Sequence, residues 1–108
     1  MASVILQMDF ATAPPPYPPP GAERNALLRP LAHSIADNTP GLVWKIWTED
    51  AAAGRAGGLY AFTTREAALA YQTMHTTRVT ARGATDIRAV LWDVNAELST
   101  ITRGLASG

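Results

Sequence analysis

Residues 42–49, LVWKIWTE, give the clearest strand signal in this chain of 108 residues. Side chains alternate between the two faces of a strand, so this segment has two distinct sides. Simple alternation places Leu42, Trp44 and Ile46 on one side and Lys45, Trp47 and Glu49 on the other. We expect Trp44 to face the helices and a ligand pocket. We expect the side that carries Lys45 to form an interface between two sheets, with its charged groups paired.

The segments before and after this strand complete an alternating order of strands and helices. Residue spacing predicts strands over residues 4–10, 59–62 and 87–94, helices over 22–37 and 63–78, and a helical turn within 97–101. Alternate residues of the first strand, from Val4 to Phe10, form its apolar face. Pro30 leaves open a kink in the first helix or a later start near Leu28. Residues 50–58, DAAAGRAGG, are the predicted flexible connection between the second and third strands.

Thr63 and Glu66 match a capping box, with Thr63 as the N-cap. The predicted buried positions of that helix are Ala67, Ala70, Tyr71 and Met74. The β-α-β-β-α-β order predicts an α+β, ferredoxin-like fold: a four-stranded antiparallel sheet with two helices on one face.

The composition is that of a small globular protein. Nine Lys and Arg residues balance nine Asp and Glu residues, and this neutral charge argues against nucleic acid as a partner. The chain has no cysteine, which excludes disulfides, thiolate catalysis and cysteine-ligated metals. Its apolar runs are too short for a membrane helix, and its N-terminal residues lack the pattern of a signal peptide. We therefore expect a single cytoplasmic domain over residues 1–108.

Two helices can cover only one face of the predicted sheet. The other face also needs a cover, and the chain has no further elements to provide it. A second copy packed face to face is the simplest cover, so we expect a homodimer.

A proline-rich segment connects the first strand to the first helix. Residues 13–21, APPPYPPPG, contain six prolines within seven positions, which removes backbone donors and favours a stiff polyproline II arm. We expect this arm to close the mouth of a pocket, with Tyr17 packed inward against a ligand. Residues 95–108 are the predicted C-terminal tail.

Several short segments together resemble the YdhR-type monooxygenases, a family within the dimeric α+β barrel superfamily. The segments are residues 31–35 (LAHSI), 40–42 (PGL), 44–49 (WKIWTE), 57–60 (GGLY), 75–76 (HT) with Arg78, 93–95 (DVN) and 98–99 (LS). They occur in this order over nearly the whole chain. The resemblance implies a homodimeric barrel with a pocket between the helices and the sheet of each subunit.

The wider superfamily includes cofactor-free quinol and anthrone monooxygenases, haem-degrading oxygenases and polyketide cyclases. The resemblance therefore implies a cofactor-independent monooxygenase that deprotonates a small aromatic or polyketide-like substrate in an apolar pocket. The alternatives on the same fold are a polyketide cyclase or isomerase, which would consume no oxygen, and a non-catalytic dimer that binds a small molecule. We expect no metal and no cofactor.

Three residues are the candidate catalytic groups. His75 is the candidate base, because an imidazole ordinarily exchanges its proton near neutral pH. Arg78 follows on the same helical face and is a candidate to stabilise an enolate or phenolate, a role for which Tyr60 is the other candidate. The non-catalytic alternatives are a helix cap for His75, a solvated helix end for Arg78 and an ordinary structural hydrogen bond for Tyr60.

Four aromatic residues are the predicted substrate contacts. They are Trp44, Tyr71, Tyr17 and Trp92. Aromatic walls suit a flat ligand, although such residues equally form ordinary cores. The sequence contains nothing that resembles a phosphate-binding loop, a dinucleotide fingerprint, a zinc-binding helix or a serine triad.

Overall fold

The computed structural model describes residues 1–12 and 19–105, which contain four strands and three helices. In chain order the elements are β1 (Val4–Ala11), α1 (Ala22–Asn38), β2 (Leu42–Asp50), β3 (Arg55–Phe62), α2 (Arg65–Ala81), β4 (Thr85–Asp93) and α3 (Ala96–Ile101). The strands form one antiparallel sheet in the order β2-β3-β1-β4. The predicted ferredoxin-like fold is confirmed. No helix in the described ranges is both long and apolar enough to cross a membrane.

The core lies between the sheet and α2. Alternate residues of β1, from Val4 to Phe10, project toward the helices as predicted, and each is at most 6% exposed. The residues that complete the central cluster are Tyr60, Phe62, Ala68 and Tyr71. Removing these side chains from water is the main favourable contribution to the packing of this layer.

Helix α2 begins one residue later than the capping-box pattern predicts. The Thr64 hydroxyl accepts a hydrogen bond from the Ala67 amide at 3.1 Å, so Thr64 is the N-cap and the prediction of Thr63 is wrong. The Thr63 amide instead donates to the carbonyl of Gly41. This hydrogen bond links the loop between β3 and α2 to the loop that precedes β2.

The buried side of α2 also differs from the predicted one. Its buried residues are Ala68, Tyr71, His75 and Val79, whereas the predicted Ala70 and Met74 are exposed. The rings of Tyr71 and His75 both pack against Tyr60, and this aromatic contact fixes the rotation of the helix. His75 therefore points into the molecule.

A β-bulge at the start of β2 reverses the predicted faces of that strand. Ala61 and Phe62 are adjacent in β3, but their partners in β2, Trp44 and Leu42, are two positions apart. Val43 is therefore the extra residue of the bulge. Beyond the bulge, Lys45 pairs with Tyr60, a buried residue of the helix-covered face. Trp44 therefore lies on the opposite face. The predictions that Trp44 faces the helices and that Lys45 lies between two sheets are both wrong, because alternation does not hold across a bulge.

The face of the sheet opposite the helices is mostly apolar. Directly paired residues of antiparallel strands share a face, so the pairing defines rows across all four strands. Two rows are Trp44–Ala61–Ile5–Trp92 and Ile46–Leu59–Gln7–Val90, which together we call the open face. Ile46, Val90 and Trp92 are 53%, 41% and 56% exposed.

Strand β3 begins four residues earlier than predicted, at Arg55. The two glycines of this segment suggested a flexible connection. In the structure, however, Gly57 is a paired residue of the strand, opposite Asp9 of β1. A Cβ atom at Gly57 would collide with the carbonyl oxygen of Met8. Glycine is needed here because the two backbones approach closely. With glycine at this position, β3 can extend beneath the pocket described below.

Helix α1 starts at Ala22 and continues through Pro30. The sequence alone left open a kink or a later start near Leu28, and the structure shows the full-length helix. Residues 13–18, which include Tyr17 and most of the proline-rich arm, lie outside the described residues, so the closing role proposed for the arm stays a prediction.

Candidate functional site

A cavity of about 370 Å³ lies between α1, α2 and the helix-covered face of the sheet. Its lining includes Lys45, Trp47, Glu49, Ala56 and Tyr60 from the sheet, Arg24, Leu28 and Leu31 from α1, and His75, Val79 and Arg82 from α2. A largely apolar wall with a few converging polar groups is typical of sites for small organic ligands. We call this cavity the pocket.

The amine of Lys45 lies in the pocket against two aromatic rings. Its Nζ atom is 3.4 Å from the centroid of the Trp47 ring and 4.8 Å from that of Tyr60. Gly58 leaves room for the lysine stem, since a Cβ atom there would lie 2.9 Å from Cε of Lys45. Among the described residues, no ion pair joins Lys45 to a carboxylate. Burial, together with the charge of Arg78, lowers the pKa of Lys45 to about 7.

The imidazole of His75 forms one side of the pocket and stays neutral. It stacks on Tyr71 with ring centroids 5.0 Å apart, and the residue is only 3% exposed. Within the described part of the chain, its Nδ1 atom has no hydrogen-bond partner. Burial lowers the pKa of His75 to about 3, reinforced by the charges of Lys45, Arg78 and Arg82. A neutral imidazole with an unused nitrogen is suited to hydrogen bonding with a ligand.

Two tyrosines support this side of the pocket. Tyr60 lines the pocket, and Tyr71 lies behind it with the ring centroids 4.9 Å apart. Burial raises the pKa of Tyr60 far above its usual value, and the neighbouring Tyr71 adds to the shift. Burial also raises the pKa of Tyr71. Both phenols therefore stay protonated, and the Tyr60 hydroxyl can donate a hydrogen bond to an oxygen anion.

An ion pair connects α1 to the edge strand at one end of the pocket. Nη1 of Arg24 is 3.7 Å from Oε2 of Glu49, and Arg24 is only 4% exposed. Glu49 is the carboxylate of the pocket lining, so its negative charge already has a partner. This partner comes from the same chain, not from a second sheet.

The structure brings three of the predicted site residues together. Tyr60 and His75 both line the pocket, and Tyr71 packs against both. Arg78 is half-buried on α2 but is not part of the lining. Its guanidinium carbon is 5.9 Å from the Tyr71 ring centroid, and Nη2 lies 2.6 Å from Sδ of Met74. Arg78 thus acts on the pocket through its charge and not by direct contact.

The other predicted substrate contacts are not in the pocket. Trp44 and Trp92 lie on the open face, so the sheet separates them from the pocket. Trp44 lies on the open face because of the bulge at Val43, and Trp92 lies there because it pairs with Ile5. Tyr17 is outside the described residues.

Comparison with known proteins identifies the family. A family model described as "Putative mono-oxygenase ydhR" matches residues 5–105. The chain belongs to this family. The match covers nearly the whole fold and confirms the resemblance drawn from the short sequence segments.

A solved structure shows the same fold. It is the crystal structure of NE2512, a protein of unknown function from Nitrosomonas europaea, with a TM-score of 0.60 and 14% sequence identity. The likeness covers 88% of this chain and 91% of that chain. No curated protein matches this sequence.

Sequence reasoning missed most residues of the pocket lining, among them Arg24, Lys45, Trp47 and Arg82. Lys45 and Trp47 were assigned to an interface because the bulge was not recognised. One signal could have identified Lys45, since it is the only lysine of the chain and lies in an otherwise apolar strand. Arg24 and Arg82 have the spacing of ordinary surface residues, and only the fold brings them to the pocket.

Proposed function

We propose that this member of the family is a cofactor-independent monooxygenase that acts on a small aromatic or polyketide-like molecule. The pocket supports this proposal, because Tyr60, the neutral His75 and Lys45 lie next to one another in a largely apolar lining. Such a site can hold a flat molecule. It also favours proton loss from that molecule, since the resulting anion meets a hydrogen-bond donor and positive charge away from water.

The proposed reaction converts an activated methylene group to a ketone. A C–H proton moves to a basic group of the pocket, and the carbanion gives one electron to O₂. The substrate radical and superoxide then combine, and protonation gives a hydroperoxide. Loss of water breaks the O–O bond and the remaining C–H bond. One oxygen atom stays in the ketone and the other leaves as water, so no external reductant is needed.

The roles that we propose follow from protonation states. Tyr60 stays protonated and donates a hydrogen bond to the oxygen on which negative charge develops. His75 was the base expected from the sequence, but with a pKa of about 3 it holds a proton weakly. We assign it to hydrogen bonding and orientation of the substrate. Arg78 contributes positive charge from behind the pocket, and Tyr71 holds the rings of Tyr60 and His75 in place.

We also propose that two copies associate through their open faces. Apolar side chains occupy seven of the eight positions in the two rows, and Gln7 is the exception. A contiguous exposed apolar patch of this kind marks an interaction surface. A second copy buries it by packing sheet against sheet. Each pocket then lies on the outer side of its own sheet.

Oxygen uptake tests the proposed function. With anthrone as the activated-methylene probe, the purified protein should consume one O₂ per ketone formed, above the rate of spontaneous oxidation. Under ¹⁸O₂, the product should gain one labelled oxygen atom. Tyr60→Phe should lower kcat/KM about tenfold or more, because it removes a donor to the developing anion. Leu69→Ala, a change on the exposed side of α2, should leave the rate unchanged.

Two results would contradict the proposal. Turnover of a polyketide-like probe without oxygen uptake would indicate a cyclase or isomerase. Saturable binding with no turnover of either probe would indicate a non-catalytic binding protein. If the proposal is correct, the rates of oxygen uptake and of ketone formation both increase in proportion to the enzyme concentration.

A further inference from the structure

We propose that the pocket binds its ligand as an organic anion, and that the amine of Lys45 carries the proton that balances the ligand's charge. The ligand class is a mostly apolar, aromatic molecule with one acidic group: a carboxylic acid, an acidic phenol or an enolisable carbonyl. The catalytic part of this inference rests on the proposed function, whereas the binding part stands on the pocket alone.

The first observation is an excess of positive charge around the pocket. The titratable and charged groups near Lys45 are Glu49 on β2, Tyr60 on β3, Arg24 and Arg29 on α1, and His75, Arg78 and Arg82 on α2. Glu49 is the only acid among them within the described chain, and it pairs with Arg24. Among the described residues of the lining, no other carboxylate is present to balance the remaining cations. An anionic ligand would supply the missing negative charge.

The second observation is the position of the amine. Aromatic rings of Trp47 and Tyr60 contact Nζ of Lys45, and no carboxylate does so within the described residues. These rings attract a cation but carry no net charge. Within the described residues the ammonium has no carboxylate partner, and burial, together with the charge of Arg78, lowers its pKa to about 7. Near neutral pH about half of the protein carries a free amine, ready to accept a proton.

The two observations together define a proton-transfer step. A neutral acid such as a phenol or an activated methylene can give its O–H or C–H proton to the lone pair of Nζ. The pair of electrons left on oxygen or carbon forms the anion, which then faces the new ammonium. When the amine is free before binding, the pair as a whole stays neutral and no proton is exchanged with solvent. In the proposed oxygenase reaction, this is the step that precedes electron transfer to O₂.

An acid that is already ionised behaves differently. A carboxylate brings a negative charge without its proton, so Lys45 must take one from solvent. The uptake per bound carboxylate equals the fraction of free amine before binding. With a pKa of about 7, it should be about 0.1 at pH 6, 0.5 at pH 7 and 0.9 at pH 8. Proton uptake by His75 would follow the opposite trend, falling as the pH rises.

Isothermal titration calorimetry tests these expectations. The full-length protein is titrated with 2-naphthoate and with the neutral 2-naphthamide, in two buffers with different ionisation enthalpies at each pH. We expect naphthoate to bind at least tenfold more tightly than the amide, with proton uptake that rises from pH 6 to pH 8. Equal affinities, absence of naphthoate binding at millimolar concentration, or uptake that falls with pH would each overturn the proposal.

Two variants assign the effect to Lys45. Lys45→Met should lose both the preference for naphthoate and the proton uptake. Lys45→Arg should keep the preference but lose the uptake, because the guanidinium is charged throughout this pH range. Arg65→Met is the control, since it removes an exposed cation that pairs with Asp93 away from the pocket. Wild-type uptake in Lys45→Arg would overturn the assignment.

A direct measurement on the unmodified protein complements the variants. Since the chain has one lysine, labelling with ¹³Cε-lysine gives one NMR signal from that position. Its titration midpoint should lie near pH 7 and rise by about two units or more when naphthoate binds, so that the bound amine stays protonated at pH 8. An unchanged midpoint would contradict the proposal. If naphthoate binding remains linked to proton uptake but no oxygen is consumed with anthrone, only the proposed oxygenase function is contradicted.

Discussion

Lys45 is the residue on which the proposed proton transfer depends. Eight of the nine basic residues are arginines, and the single lysine lies in the pocket. An arginine in that position would stay charged at any physiological pH, whereas a buried lysine can give up its proton. The proposed proton transfer therefore requires a lysine and not an arginine at this position. Burying an amine without a counter-ion also costs stability, which can be measured.

Lys45→Met should change how stability depends on pH. The pKa of Lys45 falls from 10.5 to about 7 on folding, so the folded protein binds fewer protons than the unfolded chain between these values. The free energy of unfolding therefore rises with pH, by about 2 kcal/mol from pH 6.5 to pH 8.5. The variant lacks this contribution and should be more stable than wild type at pH 6.5. Urea denaturation of both proteins at the two pH values measures the difference, and equal pH dependence would contradict it.

His75 should remain neutral throughout the physiological pH range. Its pKa falls from 6.5 to about 3 on folding, so its contribution to stability is complete above pH 6.5 and is lost as the pH falls toward 3. His33→Gln leaves His75 as the only histidine, so its imidazole resonance can be followed without ambiguity. That resonance should stay constant from pH 8 to pH 4.5. A titration midpoint near pH 6.5 would show that the imidazole is solvated.

At the scale of elements, the N-terminus of α2 offers a direct test. Thr64→Ala removes the hydroxyl that accepts from the Ala67 amide, and it should lower the free energy of unfolding by about 1 kcal/mol. Thr63→Ala is the comparison, because Thr63 is the N-cap that the sequence pattern predicts. We expect Thr63→Ala to lower the free energy of unfolding by less than half as much as Thr64→Ala does. If Thr63→Ala were the more destabilising change, the helix would begin as the capping box predicts.

The elements also show what a single sequence can and cannot predict. The alternation in β1 gave its buried face correctly, because that strand pairs regularly over the residues concerned. The same reasoning failed in β2, where one extra residue at Val43 exchanges the faces. Bulges depend on how two strands fit together, and the pattern within one strand does not contain that information. The assignment of Trp44 to the pocket and that of Lys45 to an interface both depended on this point.

At the scale of the whole molecule, charge and apolar surface are separated by the sheet. The chain has no net charge, yet cations predominate around the pocket on one side. The other side carries the apolar rows of the open face, and an ion-pair cluster of Asp9, Arg55 and Arg88 lies beyond their end. The sequence predicted an uncovered face from the number of elements alone. It could not predict the charge excess, because the residues that produce it come from three separate elements.

The last prediction concerns association through the open face. Ile46 is 53% exposed and lies within the second apolar row, so Ile46→Glu would place a carboxylate within a face-to-face contact. Burying that charge without a partner is unfavourable, and the dimer should dissociate to monomers at micromolar concentration. Leu69→Glu makes the same change at a residue of α2 that is 46% exposed, and it should stay dimeric. Because the pocket lies across the sheet, the Ile46→Glu monomer should bind naphthoate within about threefold of wild type. Analytical ultracentrifugation measures the association, and a monomeric wild type or a dimeric Ile46→Glu variant would contradict it.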